Sequence, residues 1–238
     1  MDRSRIDAAE YVESQYRSTA KLETRMSVWR PGVDGRTPQD VVLAALSEKT
    51  PRRVVEVGCG TGVFAARCAS ELGCDVVAVD SSPAMVEEAG ARGVEAILGD
   101  VRDLPFEDGA FDCAVALWML HHVDDRDRAI GELARVLRPG GRLVATGNGL
   151  RHLAELWELI GFDYPESPFG LENGARQLGP HFAAVATREV ATRAVFGDRA
   201  AAAAYLESME RHDLAALLPD AGWPLVASGG TAVFIADR

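Results

Sequence analysis

Apolar positions along the chain fall into two alternating rhythms. Near-continuous apolar runs, "RVVEV" (53–57), "DVVAV" (75–79), "VEAIL" (94–98), "FDCAVAL" (111–117) and "RLVATG" (142–147), predict strands. Between them lie stretches with helical spacing: from about Val63 to Leu72, from about Pro83 to Ala91, and "DRDRAIGELARVLR", where Ile130, Leu133, Ala134 and Leu137 share one face. Pro139-Gly140-Gly141 ends the last of these. Strands buried on both faces and joined by helices predict a mostly parallel sheet covered on both sides, a doubly wound α/β sandwich.

Two helices are predicted upstream. One runs from Tyr11 to about Met26; the other is opened by "DGRTPQD", with Thr37 as N-cap and Pro38 at the first helical position. After Gly147 the rhythm breaks. Residues 148–182 form an insertion of roughly 35 residues with helix, turns and aromatics, too long for an ordinary connection and expected to cover a site. Strand-like residues return at 183–196, an alanine-rich helix follows from about Asp198 to Met209, and "PLVASGGTAVFIADR" closes the chain. In that last stretch Gly229-Gly230 is expected to form a tight hairpin turn.

A length of 238 residues, 47% apolar and 26% charged, is enough for a soluble globule with a real core. The net charge of −11 disfavours a nucleic-acid partner, which calls for a basic face, and favours a small or neutral substrate. Cys59, Cys68, Cys74 and Cys113 lack the paired spacings of zinc sites, so reduced thiols and no metal are expected. The first eighteen residues mix both charges without an apolar core, and no apolar run reaches about 18 residues. A cytoplasmic protein with no membrane partner is expected.

The candidate chemistry begins at "VGCGTG". Gly58, Gly60 and Gly62 follow the first strand of the alternating region, where an open α/β sheet receives its ligand, and bare backbone lets a ligand lie directly on the turn. Asp80 ends the next strand, 22 residues after Gly58, where a carboxylate can accept hydrogen bonds from both hydroxyls of a ribose. Asp100 follows the third strand and is placed to bond an adenine amine, although a cap or turn role explains such a residue too. Together they outline an adenosine-shaped site. The dinucleotide fingerprint would require glycine where Val63 stands, and Glu56 before the turn suits an ammonium better than a phosphate. This favours S-adenosylmethionine over NAD.

At this point the chain resembles a known family. "VVEVGCGTG", "VVAVDSSPAMVEEA", "LGDVRDLPFEDGAFDCAVALWMLHHVDD" and "RVLRPGGRLVATGNG" are similar, in order and spacing, to the successive motifs of class I S-adenosylmethionine-dependent methyltransferases of the type 11 or UbiE-like small-molecule group. The resemblance runs from about residue 50 to 150. It implies a seven-stranded, mostly parallel sheet and a single domain over 1–238: an N-terminal helical lid (1–49), a cofactor-binding core (50–147), an acceptor-site insertion (148–182) and C-terminal strands and helix (183–238). It further implies S-adenosylmethionine as cofactor, S-adenosylhomocysteine as product, and a monomer or homodimer acting on a small molecule such as a natural-product intermediate. Glu56, Gly58 and Gly60 would then face the methionine portion, Asp80 the ribose diol, Met85 and Val101 the adenine faces, Asp100 the adenine amine, and the Leu117 carbonyl the methionine amino group, with Cys59, Gly62 and Ser81 also among the cofactor-binding residues. Tyr11, Tyr16 and Arg25 of the lid are possible partners for the cofactor carboxylate, with helix-surface roles as alternatives.

If the methyl acceptor needs a proton removed, histidine is the natural base near neutral pH, and the candidates are His121, His122 and His152. Trp118, Trp157, Phe162, Tyr164 and Phe169 are candidate walls of an apolar pocket, each also explained by packing. Two alternatives stand beside methyl transfer: a nicotinamide-dependent oxidoreductase, disfavoured by Val63 and Glu56, and a cofactor-binding protein without catalysis.

Overall fold

The structure, a computed structural model, describes residues 19–238. Eight strands form one sheet: β1 (Trp29–Pro31), β2 (Arg53–Val57), β3 (Asp75–Asp80), β4 (Glu95–Leu98), β5 (Phe111–Leu117), β6 (Leu137–Asn148), β7 (Ala184–Phe196) and β8 (Leu225–Asp237). Their order is β1-β7-β8-β6-β5-β2-β3-β4. Strands β2 to β6 run parallel to one another, whereas the β6/β8, β8/β7 and β7/β1 pairings are antiparallel.

The doubly wound α/β class is therefore correct and the expected count of seven strands is not. The extra strand is β1, a three-residue edge from the segment expected as a helical lid, whose Trp29 pairs with Ala194. Its pattern is too short to carry a period, so only the partner strand defines it.

Strict alternation fills both layers. Val55, Val57, Val77 and Val79 face Ile130 and Leu133 of helix α5 (Arg126–Val136), while Val54, Val76 and Ala78 face α2 (Pro38–Ser47) and α3 (Val63–Leu72). Helix α4 (Pro83–Ala91) follows β3. The start of α2 is fixed locally by a capping box in which Thr37 Oγ1 accepts from the Asp40 amide and the Asp40 carboxylate accepts from the Thr37 amide.

Gly229-Gly230 is not a hairpin turn: β8 runs straight through it. A Cβ on Gly229 would lie 2.6 Å from the Trp29 ring and closer still to the Thr192 hydroxyl, so this glycine lets neighbouring strands place large side chains over it.

The insertion carries two short helices, α6 (Ala154–Leu159) and α7 (Gly174–Leu178). Trp157, 4% exposed, stacks on Tyr164 with ring centroids 4.8 Å apart and joins a core cluster with Phe196, Tyr205 and Leu206 of β7 and α8 (Arg199–Ser208). Phe169 is fully buried against Phe234 of β8. Much of the insertion's aromatic content is thus core. Among the described residues no helix is long and apolar enough to cross a membrane.

Candidate functional site

The strand order reverses between β2 and β5, and in open α/β sheets the crevice at the carboxyl ends of such strands receives the ligand. Three segments meet there: the glycine turn after β2, the Asp80 end of β3, and Trp118-Met119 after β5. Gly58, Gly60 and Gly62 have φ of +70°, +53° and +74°. A Cβ on Gly58 would stand 2.7 Å from Met119 Cβ, and one on Gly62 2.7 Å from Ala89 Cβ of α4. Those two glycines are needed for conformation and for close packing. Gly60 differs: a Cβ there would meet nothing nearer than Leu22, at 3.6 Å, on helix α1 (Thr19–Ser27). Helix α1 therefore overlies the open backbone of the turn.

The acids behave differently from one another. Glu56 is 3% exposed and its Oε2 has no hydrogen-bond partner among the described residues. Burial, aggravated by the nearby Asp80 carboxylate and opposed by the Ala65 amide, pushes its pKa up to about 8. Asp80 Oδ2 accepts from the Gly60 amide and Oδ1 from the Ser82 amide, each at 2.9 Å. Its burial raises the pKa, and the Ser82, Gly60 and Ser81 amides oppose that rise. Asp80 thus braces the glycine turn. Asp100 is held by Arg102, Nη2 to Oδ2 at 2.6 Å, and this bonding keeps its pKa below the usual carboxylate range despite some burial. That pairing commits Asp100 to a neighbour two residues away.

Other predicted residues fall into place less uniformly. Met85 is fully buried, Val101 is 6% and Cys59 7% exposed, Ser81 is exposed, and Leu117 ends β5 half-buried. The Arg25 guanidinium donates to the Ser208 carbonyl of α8 at 3.3 Å, and Lys21 pairs with Glu210 at 2.6 Å, so α1 is tied to the end of α8. Tyr11 and Tyr16 lie outside the described residues.

His121 and His122 sit on a 3-10 turn (Leu120–His122) after β5, with ring centroids 4.0 Å apart. Burial, then the charges of His122, Arg126 and Arg25, hold the His121 pKa well below its ordinary value. His152 lies across β6: it is 9% exposed, stacked on Trp29 at 4.8 Å, and burial lowers its pKa to about 4. The structure also assembles residues that sequence reasoning missed. Asn148 bonds Trp118 and contacts His152, and Thr146 receives the Trp118 amide. Their signal was available, since Asn148 ends β6 at the same sheet edge that singled out Asp80 and Asp100.

This donor set fits S-adenosylmethionine. An orphaned carboxylate oxygen at Glu56 suits an ammonium group, the Gly60 backbone is bare, and no phosphate-directed glycine stands at residue 63. Residues 55–145 match a family described as a methyltransferase domain. The O-methyltransferase resE of Aspergillus sclerotiorum is 39% identical over 110 residues, 43% of this chain and 42% of that protein. A demethylmenaquinone methyltransferase of Thermus thermophilus is 40% identical over 120 residues, 48% of this chain and 54% of that protein. The chain thus spans about half the length of these curated relatives. Among solved structures, the [4+2]-cyclase SpnF superposes with a TM-score of 0.64 at 22% identity, covering 96% of each chain, a likeness of fold alone. Residues 55–145 are thus similar to a methyltransferase domain, in keeping with the motifs that the sequence resembles.

Proposed function

We propose that the protein transfers a methyl group from S-adenosylmethionine to an oxygen, nitrogen or carbon atom of a small molecule, such as a natural-product intermediate. The observation that carries this reading is Glu56: a buried carboxylate with an unpartnered oxygen beside a glycine turn is stabilised by a cationic ligand, not by an anionic one. The relatives' own activities, an O-methyltransferase and a demethylmenaquinone methyltransferase, support it.

When bound, S-adenosylmethionine supplies a methyl carbon activated by a sulfonium leaving group. The chain's residues hold, align and exclude water. Glu56 would meet the ammonium group, Asp80 and Ser81 the ribose, Met85 and Val101 the adenine, with Asp100, Leu117, Cys59 and the three glycines completing the cradle. Asp100 would have to share its carboxylate with Arg102. His121 and His122 remain the candidates for a base, and Arg25 reaches the site's neighbourhood from α1.

Calorimetric titration with S-adenosylhomocysteine and with NADH tests the cofactor. Heat from the first and none from the second is expected; the reverse would sink the reading. Transfer of radiolabelled methyl from S-adenosylmethionine to a panel of quinols, phenols, amines and carboxylic acids tests catalysis, and a panel with no labelled product overturns it. Asp80→Ala should weaken S-adenosylhomocysteine binding by about 1–3 kcal/mol, since it strands hydrogen-bonding groups on ligand and turn alike. Unchanged affinity would remove Asp80 from the site.

The segment 1–49 acts in this reading as a lid through α1, because Leu22 covers Gly60 and both anchors to α8 lie at the surface or half-buried. Amide hydrogen exchange over residues 19–27 should slow when S-adenosylhomocysteine is added. Equal protection in both states would contradict a lid.

A further inference from the structure

Trp118 stands directly after β5 with φ of +49°, a left-handed conformation that strains a bulky residue and persists only where its surroundings impose it. Two side chains of β6 impose it here. Thr146 Oγ1 accepts from the Trp118 amide at 3.0 Å, and Asn148 Oδ1 accepts from the indole Nε1–H at 3.0 Å. Thr231 of β8 adds a longer bond to the same Asn148 oxygen, 3.4 Å. The main chain of Asn148 is equally engaged: its carbonyl accepts from the Leu171 amide, and it bridges to Gly170 of the insertion. On the other side, Met119 packs on Gly58. One asparagine therefore links the glycine turn, through Trp118-Met119, to the insertion.

The same bonds settle a tautomer. An indole N–H only donates, so the Asn148 oxygen must face Trp118 and the amide NH2 must face His152, whose Nε2 lies 3.3 Å away. Two donors cannot share that contact. His152 Nε2 is then the unprotonated, accepting nitrogen, and the ring carries its proton on Nδ1, a buried atom with no hydrogen-bond partner among the described residues. The other groups packed on this ring, Trp29 of β1 and Gly230 of β8, are uncharged; the titratable group that faces it is His121. His152 is consequently no free base, because taking a proton on Nε2 would oppose the Asn148 NH2.

We propose that Asn148 is a positioning residue for the methyl acceptor: it locks the Trp118 indole as a fixed wall of the acceptor pocket and holds His152 as the neutral Nδ1–H tautomer, in a structural and not a proton-accepting role. This rests on the methyl-transfer reading above. Trp118 remains part-exposed beside the glycine turn, while its indole N–H is tethered to Asn148.

Two measurements test it. Multiple-bond 1H–15N spectra of the imidazoles, taken on the full chain without ligand, should show His152 as the Nδ1–H tautomer from about pH 5 to about pH 8. In Asn148→Asp a carboxylate oxygen faces Nε2 instead, and His152 should become protonated there, its titration moving upward. An Nε2–H tautomer in the unmodified protein, or no change in Asn148→Asp, overturns the assignment whether or not the protein is a methyltransferase. For the compound methylated in the panel, Asn148→Ala should raise KM at least about ten-fold while the S-adenosylhomocysteine dissociation constant stays within about two-fold. Trp118→Phe, which keeps a ring and loses the tether, should raise KM less. An unchanged KM in Asn148→Ala, or an equal loss of cofactor affinity, overturns the positioning role; no turnover of any compound with S-adenosylhomocysteine still bound overturns the methyl-transfer reading and the acceptor wall with it.

Discussion

Phe169→Ala is expected to lower the stability of the protein by about 3–5 kcal/mol, the cost of removing a buried phenylalanine and leaving its cavity behind. The ring is fully buried, meets Phe234 at 5.3 Å and 67°, and belongs to one core with Leu178 and Phe182. Little can collapse into the space, because the Phe169 carbonyl is itself pressed on Gly147, where an added Cβ would stand 2.7 Å away. Urea unfolding measures this directly: the midpoint should fall with the slope unchanged. Variant and parent within about 1 kcal/mol of each other would show that the insertion folds apart from the sheet. The result also bears on specificity. Phe169 and Trp157, which the aromatic content of residues 148–182 suggests as selectors of the acceptor, are packed in the core instead. We assign that task to Trp118, which follows β5 and is part-exposed.

Glu56→Gln should stabilise the ligand-free protein at pH 8 by a few kcal/mol, roughly 1.4 kcal/mol for each unit by which the carboxyl is shifted. The sign follows from proton counts. An exposed glutamate titrates near 4.5, whereas burial and Asp80 raise Glu56 to about 8 in the folded chain. Between those values the folded protein holds a proton that the unfolded chain has lost, so stability falls as pH rises through the window. Glutamine keeps the shape and cannot ionise. The gain should therefore vanish near pH 4.5 and be full at about pH 8.

The same substitution should weaken S-adenosylhomocysteine at least about ten-fold, because an ammonium group is best matched by the ionised carboxylate. Binding to the unmodified protein at pH 7 should release a proton, visible as a calorimetric enthalpy that changes with the buffer's ionisation heat. Buffer-independent binding with unchanged affinity for Glu56→Gln would separate Glu56 from the ligand.

Much of the fold was legible because its determinants are local. The valines of β2 and β3 are buried on both faces, which reads directly as a covered parallel sheet. Helices α3 and α4 begin and end where their spacing, Gly62, Gly73 and Pro83 place them, and Thr37 caps α2 through Asp40 three residues on. The glycine turn and Glu56 were legible for the same reason: bare backbone and a charge sit together just past a strand end. Even the Asp100–Arg102 pair lies within two residues and was open to reading.

Other features depend on partners that only folding brings within reach. Strand β1 exists because Ala194 lies beside Trp29, 165 positions along the chain, and Gly229 serves close approach to Trp29 and Thr192 instead of a turn. Phe169 reads as an aromatic in a loop until Phe234 covers it. His152 reads as a base until Asn148 and Trp29 enclose its ring. Local chemistry determined the turns, caps and strand periods, whose energies depend on residues a few positions apart. Burial and hydrogen-bond partnership depend on what lies across the sheet, and so the surroundings of β1, Phe169, Asn148 and His152 were decided only by the tertiary structure.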